Sequence, residues 1–209
     1  MGTLTAASII NKAVIQLNDL SAVRWTRAEL LTWLSDAQRV MILAAPSTGA
    51  TTGMVTTVPG IKQTIPMDGW LLIRANRNMG SSGTSSGRVL QLVQEEELTK
   101  NNPTWSSDTA TGSAVAYSYA PILKNVFWVY PPADASGNKI EVVYSQTPTE
   151  LTTESSVITV LDVYEPALLD YVMYKACSKD AEYAAGLQLA AGYLSTFNAM
   201  LGIIDKEAA

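Results

Sequence analysis

Trp25-Thr26-Arg27-Ala28-Glu29-Leu30-Leu31-Thr32-Trp33-Leu34-Ser35-Asp36-Ala37, read on to Pro46, decides the fold class of this chain. Thr26 and Glu29 stand at the spacing of a capping box: the threonine hydroxyl serves a backbone N–H three residues on, and the glutamate reaches back. Trp25, just ahead of the cap, is placed to staple onto Leu30. Leu30, Trp33, Leu34, Ala37, Met41 and Ala44 then recur at three- and four-residue spacing, and Pro46 stops the helix. Beyond Pro46 the grammar changes to Thr, Val, Ser and Gly in short alternating runs between turns, which is the pattern of strands.

Working outward, the segment from Thr5 to Leu20 places Ile10, Ala13, Val14, Leu17 and Leu20 on one helical face. Strands are expected near 54–58, 62–65, 71–76, 88–92, 114–119, 125–130, 140–145 and 157–160, with a short helix at 95–100. Ala133-Asp134-Ala135-Ser136-Gly137-Asn138 reads as a hairpin connection, and residues 80–87, all Gly, Ser or Thr, as a flexible loop. After Val160 the helical period returns. Pro166 suits a first turn, Asp162 and Glu165 suit its positive end, and Leu169, Val172, Met173 and Ala176 continue the stripe. A last helix carries Leu187, Ala190, Ala191, Leu194, Phe197, Met200 and Leu201. The expected fold is α+β: an antiparallel helical bundle built from residues 1–47 and 161–209, with an inserted antiparallel, sandwich-like β-domain over 48–160. Neither helical half can bury its stripe alone.

Composition narrows the chemistry. The 209 residues include no histidine and one cysteine, Cys177. Histidine-based nucleophile systems and histidine metal ligands are therefore excluded, as are an intrachain disulfide and multi-cysteine metal sites. Charged residues make up 16% of the chain, against about 25% in an ordinary soluble protein. No apolar run approaches the roughly 18 residues of a membrane span, and the opening residues lack the pattern of a signal peptide. So low a charge content fits a chain that hides surface in an assembly, or a monomer solvated by small polar residues such as Ser, Thr, Asn and Gly. Residues 161–209 set Lys175, Lys179 and Lys206 against seven carboxylates, which disfavours phosphate contact there. Arg74 and Arg77, the best basic pair, lie an odd number apart in an expected strand and should face opposite ways.

Individual motifs point to structure rather than reaction. Gly83-Thr84-Ser85-Ser86-Gly87 has the letters of a nucleophile elbow, but that device needs a strand-to-helix turn and a histidine. Ser136 and Lys139 have serine–lysine spacing, yet Gly137-Asn138 between them indicates a turn, not the helix such a pair requires. Glu95, Glu96 and Glu97 fan out by about 100° per residue on a helix and cannot converge on one ion. Cys177 reads as a packed thiol. The tryptophans Trp25, Trp33, Trp70, Trp105 and Trp128 serve as core and loop anchors, or alternatively as a sugar platform on a β-sandwich glycan-binding module. No catalytic residue, metal ligand or cofactor site is expected.

Several ordered stretches resemble one family. Trp25 to Leu31 followed by Leu34-Ser35-Asp36-Ala37-Gln38-Arg39 resembles the opening of podovirus head-to-tail adaptors, the connector subunits also called tail tubular protein A or gatekeeper proteins. Pro103-Thr104-Trp105 follows in order, then Phe127-Trp128-Val129-Tyr130-Pro131-Pro132-Ala133, Glu141-Val142-Val143-Tyr144-Ser145 and Pro148. The most specific stretch runs Tyr164-Glu165-Pro166-Ala167-Leu168-Leu169-Asp170-Tyr171-Val172 through Lys175-Ala176 to Ser178-Lys179-Asp180-Ala181-Glu182-Tyr183. The resemblance implies a virion protein of the head-tail junction, assembled from the host cytoplasm, without enzymatic activity. Its implied partners are further copies of itself in a ring of roughly twelve, the portal protein and the tail nozzle protein. DNA would pass through the channel without sequence-specific binding. The resemblance also implies that the helical part and chain end approach the portal, making Ile203, Ile204, Asp205, Lys206 and Glu207 a candidate portal-docking tail.

Overall fold

A computed structural model describes residues 3–179 and 184–202. The chain divides into two compact units, one containing the segments up to Gly49 and from Pro148, the other Ala50–Thr147. The class is α+β.

In the first unit, α1 (Ala6–Gln16) and α2 (Arg27–Ala44) come from one end of the chain, and α4 (Glu165–Lys179) and α5 (Ala184–Met200) from the other. Helix α4 packs against each of the other three. The shared core takes Ile9, Ile10, Ala13 and Val14 from α1, Leu30, Leu34, Ala37 and Met41 from α2, and Leu168, Tyr171, Val172 and Ala176 from α4, with Phe197 from α5. Thr26 and Glu29 form the expected capping box. Glu29 also binds Lys179 Nζ at 2.7 Å, tying the start of α2 to the end of α4. Trp25 is buried, and its indole N–H donates to the Ala176 carbonyl. Between α1 and α2 the Asp19 carboxylate accepts from the backbone N–H groups of Val23, Arg24 and Trp25, which holds its pKa below the usual carboxylate range.

Helix α1 has no side-chain cap at Thr5. Its first free donors are met by backbone instead: Ala6 and Ala7 N–H donate to the carbonyls of Ser156 and Glu154. Residues 157–160, expected as a strand, contribute a single bridge, Thr5 with Val157, beside this helix start. Asp162, expected at the α4 terminus, accepts from Thr3 and Leu4 N–H instead. Glu165 does open α4 and pairs with Lys12 at 2.6 Å.

The second unit holds two sheets. One has the order β1 (Ala50–Thr56), β7 (Lys139–Gln146), β3 (Gly69–Asn78), all antiparallel. The other has the order β2 (Gly60–Thr64), β6 (Val126–Ala133), β5 (Ala116–Ser118), β4 (Gln91–Leu92), with β4 parallel to β5. One apolar core draws on both: Val55, Leu72, Ala75, Ile140, Val142 and Tyr144 from the first, Tyr117, Phe127, Val129 and Ala133 from the second. Helix α3 (Glu95–Asn101) is the short acidic one.

Three expectations about this unit are corrected. Residues 133–138 form no hairpin, because β6 and β7 belong to different sheets and the connection crosses between them. Arg74 and Arg77 do not face opposite ways. Register shifts at Leu72/Arg74 and Ala75/Arg77 each insert a residue, so Arg74 pairs with Val143 and Arg77 with Glu141, two apart on β7 and on one face. The expected strand at 88–92 is a bridge from Val89 to Arg77 followed by the two residues of β4.

Candidate functional site

The residues with reactive chemistry are dispersed. Ser136 hydrogen-bonds to Asp134, while the Lys139 amine turns to the Ser82 carbonyl at 3.4 Å, so the serine–lysine pair is not assembled. Residues 83–87 lead to no helix. Glu95, Glu96 and Glu97 lie exposed on α3, and among the described residues no cluster of three or more carboxylates and thiols could hold a metal. Cys177 is half-buried on α4. Trp105 is buried edge-on to Tyr130, with its indole N–H directed to Thr99 Oγ1 at 3.3 Å. The Trp70 indole N–H donates to Ser145 Oγ at 3.1 Å, and Lys124 Nζ sits 4.6 Å above its ring. Both indoles are held through their N–H groups by hydroxyls. The candidate tail, Ile203, Ile204, Asp205, Lys206 and Glu207, lies outside the described residues.

What the fold does present is surface. Helix α5 contains no charged residue along its whole length. A helix lying on the surface of a soluble domain ordinarily carries a charged outer face. Of the seven residues expected to line its inner stripe, Ala190 and Phe197 are buried, while Leu187 and Met200 are about half exposed. Leu189 is 58% exposed. At 100° per residue Leu189 and Met200 fall on one flank of the buried stripe and Leu187 on the other. Tyr193 and Asp170 border this region; burial pushes both pKa values up. Elsewhere on the same unit Ile15, Leu20, Val23 and Leu43 are also exposed.

Charge is divided unequally. Ala50–Thr147 carries seven basic and seven acidic side chains, so the whole formal net charge of −5 belongs to the helical unit. In the β unit a surface cavity of about 420 Å³ lies beside α3, lined by Leu92, Glu95, Glu96, Tyr119 and Pro121 among others. No helix among the described residues is long and apolar enough to cross a membrane.

Two residues important to this architecture were missed by reading period alone. Ser35 and Gln38 are buried polar side chains on the inner face of α2. Ser35 Oγ accepts from Leu151 N–H at 3.3 Å and Gln38 Oε1 from Thr159 N–H at 2.8 Å, so together they satisfy the backbone of the returning segment. Their spacing of three within an apolar stripe was the available signal.

An α+β chain with dispersed reactive groups and an uncharged, partly bare helix has the makings of an assembly protein, whose chemistry lies in surfaces. The chain matches the model of the SU10 adaptor protein family over residues 4–209 and belongs to that family. The family is one of structural bacteriophage adaptors rather than enzymes, which makes the chain a virion component of the head-tail junction that assembles with portal and tail proteins. No curated protein matches the chain.

Proposed function

We propose that this protein is a podovirus-type adaptor that forms a ring of roughly twelve copies beneath the portal, extends the DNA channel and docks the tail nozzle. The observation that supports this reading best is α5. Its lack of charge and its exposed Leu187, Leu189 and Met200 fit a helix made to be covered by a neighbouring subunit. Ring closure needs a heterologous interface, so α5 of one copy meets a different surface of the next. Subunits stay largely unassembled until the portal offers its surface, and lateral plus axial burial then stabilises the ring. The negative helical unit repeated around a channel makes a collar that repels the DNA backbone.

Purified protein mixed with portal rings should add a ring-shaped layer in negative-stain images. A monomer that ignores portal would overturn the reading. Ile203 to Glu207 would be the portal-docking tail: truncation after Gly202 should abolish portal attachment while leaving the thermal melt unchanged. Full attachment by the truncated chain would remove that assignment.

A further inference from the structure

The inserted residues of β3 gather on one face cations that strict alternation would divide. On β7, Glu141, Val143 and Ser145 alternate with the core residues Ile140, Val142 and Tyr144, so they floor the outer face of the β1-β7-β3 sheet. Each of these three rows carries a cation. Arg77 pairs with Glu141 and Arg74 with Val143. In the Ser145 row the Trp70 indole N–H is fixed on Ser145 Oγ, and Lys124 Nζ rests 4.6 Å above that ring. Lys139, in the next row beyond Glu141, continues the line with its amine turned to the Ser82 carbonyl. Rows two residues apart on a strand succeed one another at about 7 Å.

Glu141 is the one carboxylate among the strand residues of this face, and it is already engaged. Its Oε2 accepts from Asn76 Nδ2 at 3.0 Å and lies 3.6 Å from Arg77 Nε. The second contact is too long for a hydrogen bond, and Arg77 Nε is buried without one. Arg74 is exposed and forms no ion pair among the described residues.

We propose that this face contacts the phosphate backbone of duplex DNA, a proposal that rests on the adaptor reading above, which brings a duplex past every copy. Arg74, Arg77 and Lys124 stand at a regular step against a single neutralised carboxylate, and a polymer charged at every nucleotide is complementary to such a row. The carboxylates of a second copy are not. In the helical unit Glu29, Glu154 and Glu165 are held by the chain's own cations, and Asp19 and Asp162 by its backbone. The three glutamates of α3 fan out around the helix and present no line. The contact is to backbone rather than bases. A flat sheet face enters neither groove, and Trp70, which could stack on a base, holds Lys124 over its ring instead. Arginine forks suit phosphate oxygens, and contacts of this kind position a duplex without reading its sequence.

The test is fluorescence anisotropy of labelled duplexes of about 20 base pairs, in two unrelated sequences, titrated with the full-length protein both free and as the portal-bound ring. The expected result is equal affinity for the two sequences and, for the free protein, a slope of log K against log salt of about −2.7, the value for three phosphates. Arg74→Gln should lower affinity roughly eightfold at 0.1 M salt and reduce that slope by about one. Lys124→Gln should do the same. Lys62→Gln removes an equal charge from β2 of the other sheet and should change neither. Equal losses from Lys62→Gln and Arg74→Gln would assign binding to net charge and overturn the face. Rings on portal with no DNA bound in either form, or a protein that takes poly-glutamate in preference to the duplex, would overturn it while sparing the adaptor reading. Failure to form any ring on portal would sink the adaptor reading, whereas DNA affinity that falls with Arg74 in the free protein would still establish the face.

Discussion

Tyr144 of β7 lies between two glycines, Gly53 on β1 and Gly69 on β3. A Cβ at Gly69 would stand 2.5 Å from the Tyr144 ring and 2.8 Å from Ile65 Cδ1, and one at Gly53 would stand 2.8 Å from the same ring. Glycine is required here by space, not by backbone angle. Gly69→Ala should cost the β unit about 1–3 kcal/mol by overpacking, measurable as a lowered midpoint in urea. The Tyr144 hydroxyl is shared with the two oxygens of Asp68, at 3.1 and 3.2 Å. Burial, helped by that carboxylate, pushes the phenol up to about 12. The folded state then keeps a proton that the unfolded chain releases near pH 10. Tyr144's contribution to stability is complete below pH 10 and is lost as the pH rises toward 12. The melting temperature of wild type should therefore fall across that window, and Tyr144→Phe should make the fall shallower. An equally steep fall in the variant would assign it to other groups.

At the scale of elements, α2 depends on polar as well as apolar residues. Gln38 is fully buried and its carbonyl oxygen is the acceptor for Thr159 N–H. Gln38→Leu keeps the volume but orphans that donor, at a cost of about 1–3 kcal/mol. Gln38 Nε2 is buried without a partner among the described residues, so its removal offsets part of that cost; calorimetry should still show the helical unit weakened, and a neutral result would mean that the offset is complete. Helices were the legible part of the sequence. The capping box at Thr26 and the stripe from Leu30 to Met41 each express a rule within a few residues, and both stand in the structure. What failed was information that no local rule contains. The turn chemistry of 133–138 is real, with Asp134 bonded to Ser136 and Gly137 at positive φ, but it does not say which sheet the next strand joins. Alternation in β3 was undone by inserted residues, which moved Arg77 to the face of Arg74. The backbone donors that Ser35 and Gln38 serve lie more than one hundred residues away, where no local rule reaches.

For the whole molecule, the low charge content read from composition has a location. An entire helix, α5, is uncharged, and the net charge of −5 sits elsewhere in the same unit. A periodic apolar stripe looks the same whether it faces the chain's own core or a neighbouring subunit, so the sequence marked Leu187 and Met200 as core while the fold leaves them about half exposed. If α5 is the lateral contact, burying a residue such as Leu189 contributes on the order of 1–2 kcal/mol per interface, repeated at every interface around the ring. Leu189→Lys should therefore prevent ring formation on portal while changing the stability of the free protein by less than about 0.5 kcal/mol. Salt separates this from an electrostatic interface. Contacts without charge are not screened, so ring formation should persist as sodium chloride rises from 0.05 to roughly 0.5 M, where charge pairs on exposed surfaces lose their reach. Rings that dissolve in salt, or that form normally from Leu189→Lys, would move the lateral contact from α5 to the ionised surface of the helical unit.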